Sequence, residues 1–277
     1  MKSDQDFKLD NLKKLENLKD FTIKEIKVFA SKLEVDEQLP EIIKFLNEDS
    51  RKGVKKIAAK LQRKISKKEA IITKWKQMNE IEAELFAQGH QLIVGIDEAG
   101  RGPLAGPVVA AAVILDPDHK IYGLDDSKKL SRKKREELFK EIKAKAKFGI
   151  GKANSSEIDK YNIREATFVA MKRAVKDLLP KLNNNPDILL VDGNAAIPNL
   201  TIEQKTIIDG DADVNAIAAA SIIAKVTRDD IIFEYAKKYH EYSFKSNKGY
   251  GTAEHIAALE KYGSSPIHRK SFGRVPE

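Results

Sequence analysis

No cysteine occurs anywhere in the 277 residues. Disulfides and thiolate metal centres are therefore excluded, and any metal must be held by oxygen or imidazole ligands. The chain also lacks an apolar run near the ~20 residues that a helix needs to cross a bilayer, so no membrane role is expected. Its first residues, Met1-Lys2-Ser3-Asp4-Gln5-Asp6, hold no apolar stretch of the kind found in secretion signals. These absences together predict a cytoplasmic protein. Positive charge, by contrast, is in excess: 50 Lys and Arg face 42 Asp and Glu, a formal net charge of +8. Such an excess favours polyanionic partners, because each neutralised phosphate releases condensed counterions. Apolar residues make up 42%, and the length suits one large domain plus a smaller one.

Glycine is scarce in the first third, where Gly53 is the sole example before Gly89. Residues 1–89 read as helical and charged. Leu9, Leu12, Leu15 and Leu18 form one apolar ladder, and Thr22-Ile23-Lys24-Glu25 has the form of a capping box ahead of Ile26, Phe29 and Leu33. Leu39, Ile42, Ile43 and Leu46 predict another short helix. Val54, Ile57, Ala58, Leu61 and Ile65 predict a one-sided stripe, and Ser66-Lys67-Lys68-Glu69 a second capping box ahead of Ile71, Trp75, Met78 and Ile81. From Arg51 to Lys76 there are eleven Lys or Arg and a single acid, Glu69. Two readings stay open for that run, a solvated helix face or a surface that tracks phosphates.

The pattern changes after residue 89. Leu92 to Ile96, Val108 to Leu115, Ala146 to Ala153, Ile188 to Val191 and Lys205 to Ile208 read as strands. Helices are predicted from Ser131 to about Lys145, over Ile163 to Leu178, from Ala216 to about Tyr239, and from Thr252 to Tyr262. Strands mixed with helices predict an α/β layer fold for residues 90–277, ending in a helical segment.

Acids sit at the ends of three of these strands. Asp97 and Glu98 follow the first, Asp192 ends the run Ile188 to Val191, and Asp211 follows the run ending at Ile208; each has a glycine nearby. Phosphoryl transfer by two divalent ions ~3.5–4 Å apart needs carboxylates converging from rigid elements in this way. Oxygen ligands without thiolates suit Mg²⁺ or Mn²⁺. Strand-end Asp-Gly is also ordinary turn chemistry, so each acid alone is open to that plainer reading. Successive strand residues face opposite sides, so Asp97 and Glu98 are expected to share ions only if the chain bends, with Gly95 and Gly100 permitting the bend.

Six stretches recur in order: Asp97-Glu98-Ala99-Gly100-Arg101-Gly102-Pro103-Leu104-Ala105-Gly106-Pro107, Asp125-Asp126-Ser127-Lys128-Lys129-Leu130, Val191-Asp192-Gly193, the run from Ala218 to Asp229, Lys248-Gly249-Tyr250-Gly251-Thr252, and His268-Arg269-Lys270-Ser271-Phe272. Over roughly residues 90–275 they resemble the signatures of the ribonuclease HII family, the bacterial type II ribonuclease H. The resemblance implies a ribonuclease H-like mixed β-sheet flanked by helices, with the small all-α N-terminal region as a hybrid-binding accessory. It places the family's four acids, catalytic and metal-binding, on Asp97, Glu98, Asp192 and Asp211. It also implies two divalent ions, Mg²⁺ or Mn²⁺.

The resemblance further implies endonucleolytic hydrolysis of the RNA strand of RNA–DNA hybrids, including cleavage 5′ to a single ribonucleotide in duplex DNA. The expected ends are 5′-phosphate and 3′-hydroxyl, and the expected roles are removal of ribonucleotides and of RNA primers. Gly100, Arg101 and Gly102 would contact the sugar–phosphate, and Tyr250 would stack on the following sugar; Lys128 and Lys225 are candidate phosphate contacts. A monomer is expected. Asn247 stands where many family members carry histidine, which puts a proton-transfer role at that position in doubt. Arg101 favours type II over the type III enzymes, which usually lack it. A binder that has lost its chemistry and a different nuclease on the same scaffold are the rival readings.

Overall fold

Two kinds of local signal, caps and alternation, set the elements of this computed structural model, which describes residues 20–276. The ladder of Leu9, Leu12, Leu15 and Leu18 lies outside the described residues. The described residues divide between Lys74 and Trp75 into two compact units.

The first unit is helical. The Thr22 hydroxyl accepts the Glu25 N–H while the Glu25 carboxylate accepts the Thr22 N–H at 2.8 Å, and this capping box opens α1, Ile23–Lys32. Helix α2, Leu39–Glu48, and the long helix α3, Lys52–Met78, follow. Ile26, Leu39, Ile42 and Leu46 bury against Val54, Ala58 and Leu61, the one-sided stripe expected for α3. The second capping box predicted at Ser66 is not formed, since α3 runs through it as one helix of 27 residues. A Ser-x-x-Glu pattern caps only where the chain before it leaves helical geometry, and Lys60 to Ile65 are good helix formers with Leu61 and Ile65 anchored in the core.

In the second unit α4, Glu80–Ala87, precedes five strands: β1 Ile93–Ala99, β2 Val108–Leu115, β3 Ala146–Ala153, β4 Ile188–Asp192 and β5 Glu203–Ile207. The sheet order is β3-β2-β1-β4-β5. β1 and β3 pair antiparallel with β2, whereas β1–β4 and β4–β5 are parallel. This is the expected mixed sheet. The helices are α5 Arg132–Lys145, α6 Ser155–Leu178, α7 Gly210–Asp213, α8 Asn215–Lys238, α9 Phe244–Asn247 and α10 Ala253–Tyr262. Helix α6 begins earlier than predicted, under an Asn154 capping box, and is interrupted at Asn162 (φ 67°, ψ 165°).

Both faces of the sheet are buried. Val94, Ile96, Ala110 and Ala112 pack with Ala166, Ala170, Ala174 and Leu178 of α6, while Ala111 and Val113 pack with Ala218, Ala219, Ile222 and Ile223 of α8. Helix α8 has Val214 at its N-cap and no side-chain cap of its own. The buried Glu82 carboxyl of α4 faces the N–H groups of Asn215 and Ala216 instead, and burial pushes it up to about 7. Gly95 lies where α8 comes closest to the sheet, and a Cβ there would fall 2.1 Å from the Ala216 carbonyl carbon. Among the described residues no helix is long and apolar enough to cross a membrane.

Candidate active site

The parallel register pairs Ile96 with Val191, so Asp97 and Asp192 stand side by side at the C-terminal ends of neighbouring strands. Asp97 pairs across β2 with Ala111, on the α8 face, and Glu98 with Ala110, on the α6 face. The predicted bend between them is absent, because β1 continues as regular strand to Ala99. None is needed: β4 stops at Asp192, and past its end nothing separates the two faces. Gly95 serves the close approach of α8 rather than a bend. Asp211, in α7, follows β5, and the α7 backbone is tied to the strand end by the Gly210 N–H donating to Asp192 Oδ1 at 2.8 Å.

Each carboxylate has its own local partner. Asp97 Oδ1 accepts the Glu98 N–H at 2.6 Å, and Ser221, whose hydroxyl donates to Ser127 Oγ at 2.9 Å, lies beside the same carboxylate. Glu98 Oε1 accepts from Arg101 Nη1 at 3.1 Å. Asp211 lies beside the Asp126 carboxyl, which helps to raise it, and Lys128 Nζ lies 3.9 Å from Asp211 Oδ2. Burial first, then the charges of Glu98 and Asp192, hold Asp97 well above the usual carboxylate range. Burial likewise raises Glu98 and Asp192. Asp211 is pushed up to about 6 by burial, Asp126 and Asp192. These acids are thus crowded enough to resist full ionisation without added positive charge.

That crowding and the all-oxygen donor set fit a divalent cation such as Mg²⁺ or Mn²⁺. Among the described residues no three His, Asp or Glu side chains gather at chelating distance. The four acids are brought to one place in the fold while each is turned to a different neighbour.

The loop after β1 borders the acids. Gly100 has φ +95°, a conformation L side chains rarely adopt, and a Cβ there would fall 2.0 Å from Arg228 Nε. A Cβ on Gly102 would sit 3.8 Å from the Tyr250 ring, so the half-exposed tyrosine faces this glycine. Glu98 and Arg101 also line a cleft with Arg164, Phe168, Asp192 and Gly193. Lys225 points elsewhere: its Nζ donates to Asp229 at 2.7 Å within α8. Asn247 is buried, donating from Nδ2 to the Tyr242 carbonyl at 2.7 Å and accepting the Gly249 N–H at 2.8 Å. It braces the loop that carries Tyr250, and both ends of its amide are occupied.

Sequence reasoning missed two arginines. Arg228 and Arg269 are both fully buried. Arg228 donates to the carbonyls of Pro107, Lys248 and Ala105, and Arg269 to those of Gly106, Arg101 and Gly100. A signal for Arg228 was present, since it stands four residues from both Ala224 and Ile232 on the buried face of α8. Asp126 was also passed over, inside a motif that drew attention only to Lys128.

The family model for ribonuclease HII matches residues 94–275, and that for the ribonuclease HII N-terminal domain matches residues 22–86. Ribonuclease HII of Clostridioides difficile (strain 630) is 50% identical over 256 residues, covering 92% of this chain and 98% of that protein. Ribonuclease HII of Geobacillus sp. (strain WCH70) is 47% identical over 258 residues, covering 93% and 90%. The crystal structure of ribonuclease H2 from Pyrococcus horikoshii OT3 superposes with a TM-score of 0.55 at 30% identity, covering 66% of this chain and 95% of that one.

Proposed function

Given that the chain belongs to the ribonuclease HII family and cleaves the RNA strand of RNA–DNA hybrids, we propose that Asp97, Glu98, Asp192 and Asp211 form its hydrolytic centre. The observation that carries this reading is the meeting of Asp97 and Asp192 at adjacent strand ends, with Glu98 and Asp211 within electrostatic reach. The same four residues would hold two divalent ions, Mg²⁺ or Mn²⁺, which when bound supply Lewis-acid activation of water and charge stabilisation at the leaving 3′-oxygen. The crowded carboxylates gain from such ions, because added positive charge relieves their mutual repulsion.

The reaction is in-line displacement at a phosphodiester, leaving a 5′-phosphate and a 3′-hydroxyl. Cleavage falls 5′ to a single ribonucleotide embedded in DNA, which suits ribonucleotide removal and RNA primer removal during DNA replication and repair. Gly100, Arg101 and Gly102 contact the sugar–phosphate, and Tyr250, with its ring facing Gly102, stacks on the neighbouring deoxyribose. Lys128 contributes charge beside the acids. Lys225 reaches phosphate only by leaving Asp229. The enzyme acts as a cytoplasmic monomer.

The helical N-terminal region, residues 1–89, adds grip on the hybrid through the exposed lysines of α3. Replacing Lys52, Lys55, Lys56 and Lys60 by Glu is expected to weaken hybrid binding and its salt dependence while kcat holds. The central test is cleavage of a duplex carrying one ribonucleotide, beside an all-DNA control, with and without chelator. Cutting of the first alone, abolished by chelator, is the expected result. Cleavage that survives the chelator, or equal attack on both duplexes, overturns the reading.

A further inference from the structure

Arg228 and Arg269 are the largest of the fully buried side chains, and among the described residues neither makes a salt bridge. A buried guanidinium is costly unless its donors are satisfied, and here backbone carbonyls do the work that carboxylates usually do. Arg269 is the more telling of the two. Its Nη1 donates to the Arg101 carbonyl at 2.8 Å and its Nη2 to the Gly100 carbonyl at 2.5 Å, while Nε and Nη2 both reach the Gly106 carbonyl at 3.0 and 2.9 Å. Arg228 holds the far end of the same loop through Ala105 and Pro107, and couples it to the tyrosine-bearing loop through the Lys248 carbonyl.

Peptide geometry turns this into a statement about the other side of the loop. No cis peptide occurs among the described residues, and across a trans peptide the C=O and the N–H point in opposite directions. With the Gly100 carbonyl drawn inward, the Arg101 N–H is turned outward; with the Arg101 carbonyl drawn inward, so is the Gly102 N–H. Both residues are exposed. Among the described residues neither N–H has an acceptor in the protein. Two successive donors therefore face solvent beside Glu98 and opposite the Tyr250 ring, and the loop is held in that sense from beneath.

We propose that Arg269 is a positioning residue for ribonucleotide selectivity, orienting the Arg101 and Gly102 N–H groups toward the ribose 2′-oxygen. The inference rests on the reading of this loop given under Proposed function. Arg269 itself touches no substrate. Its planar fork is suited to the task, since successive carbonyls need donors at fixed separation, which the single ammonium of lysine does not provide.

The test compares kcat/KM on two duplexes, one carrying a single ribonucleotide and the other the same nucleotide with 2′-fluorine, a far weaker hydrogen-bond acceptor, for the unaltered enzyme and for Arg269→Lys. The variant keeps the charge and loses the fork. The expected result is a fall of about tenfold or more in the ribose-to-fluoro preference, the size of one lost hydrogen bond to substrate. A merely structural role would lower both rates together and leave the ratio unchanged, which overturns the inference. Should Arg269→Lys lose its cooperative thermal transition, the same ratio is read on Arg269→Gln, where an unchanged preference overturns the inference, and the unaltered protein tests the loop geometry on which it rests. Backbone ¹⁵N shifts of Arg101 and Gly102 should then move more on binding the ribonucleotide duplex than an all-DNA duplex, both in chelator, and equal movement overturns the inference. An unaltered enzyme with no preference for ribose would remove the loop reading itself, whereas a preference that survives Arg269→Lys removes the role of Arg269 alone.

Discussion

His268 Nε2 lies 2.9 Å from His255 Nε2 in the protein interior, beside the rings of Tyr242 and Phe244. The partners define the tautomers. His268 Nδ1 accepts the Ser265 N–H at 2.9 Å, so its Nε2 carries the proton and donates to His255, whose Nδ1–H in turn donates to the Tyr250 carbonyl at 2.9 Å. Only a pair of neutral rings completes this chain. Burial, then the neighbouring His255, pushes His268 down to about 4, and burial lowers His255 as well.

Stability should therefore depend on pH through this pair. The unfolded chain takes up a proton near pH 6.5 and the folded one does so only near 4, so the contribution is complete above about 6.5 and is lost as pH falls through about 4. For His268 alone it amounts to about 3 kcal/mol. Denaturant titrations between pH 7.5 and 4.5, on the unaltered protein and on His268→Asn, would measure it; an identical pH slope in the two proteins would refute the assignment.

Asp97→Asn removes one charge from the strand-end cluster and keeps the side chain's shape. Cleavage of hybrid should be abolished, while binding measured by fluorescence anisotropy persists, since binding draws on the basic surface. Full residual cleavage would dismiss Asp97 from the centre.

Gly95→Ala tests how tightly α8 lies on the sheet. The added Cβ would fall 2.1 Å from the Ala216 carbonyl carbon and 2.4 Å from the Ile217 nitrogen, both backbone atoms that have nowhere to go. A loss of about 3 kcal/mol or more is expected, read as a lower thermal midpoint. A midpoint within a degree of the unaltered protein would show that the helix yields.

Asn247→Ala removes both hydrogen bonds that brace the loop of Tyr250 and leaves the Gly249 N–H and the Tyr242 carbonyl unpaired. The expected cost is about 2–3 kcal/mol. The pH dependence of cleavage should keep its shape, because Asn247 passes no proton. A displaced limb of that profile would reinstate a chemical role.

The sheet was largely legible because strand burial follows apolar runs. Val108–Leu115 and Ala146–Ala153 have the bounds that their composition predicts. Asp97, Glu98 and Asp192 stood out for a related reason, as charge placed at the end of a buried run, whereas the strand before Asp211 is largely exposed and offers no such signal. What escaped was tertiary. Nothing local in Asp97-Glu98 tells that β4 ends beside them, so their alternation alone calls for a bend where the sheet merely stops. Arg228 and Arg269 escaped because arginine in a basic chain reads as surface, and all their carbonyl partners but Lys248 lie over a hundred positions away. Lys225 looked available for phosphate until the helix brought Asp229 one turn along to meet it.

The bond from Arg269 to the Gly100 carbonyl closes a span of 169 positions. Closing a loop of that length costs chain entropy that local contacts do not. A chain that has built its helix-covered sheet but has not yet seated this arginine already carries most of its positive surface, and its hydroxyl-reading turn is still unformed. Such a chain would cling to nucleic acid without discriminating among sugars, so damage or truncation near the C-terminus would cost selectivity before it costs affinity.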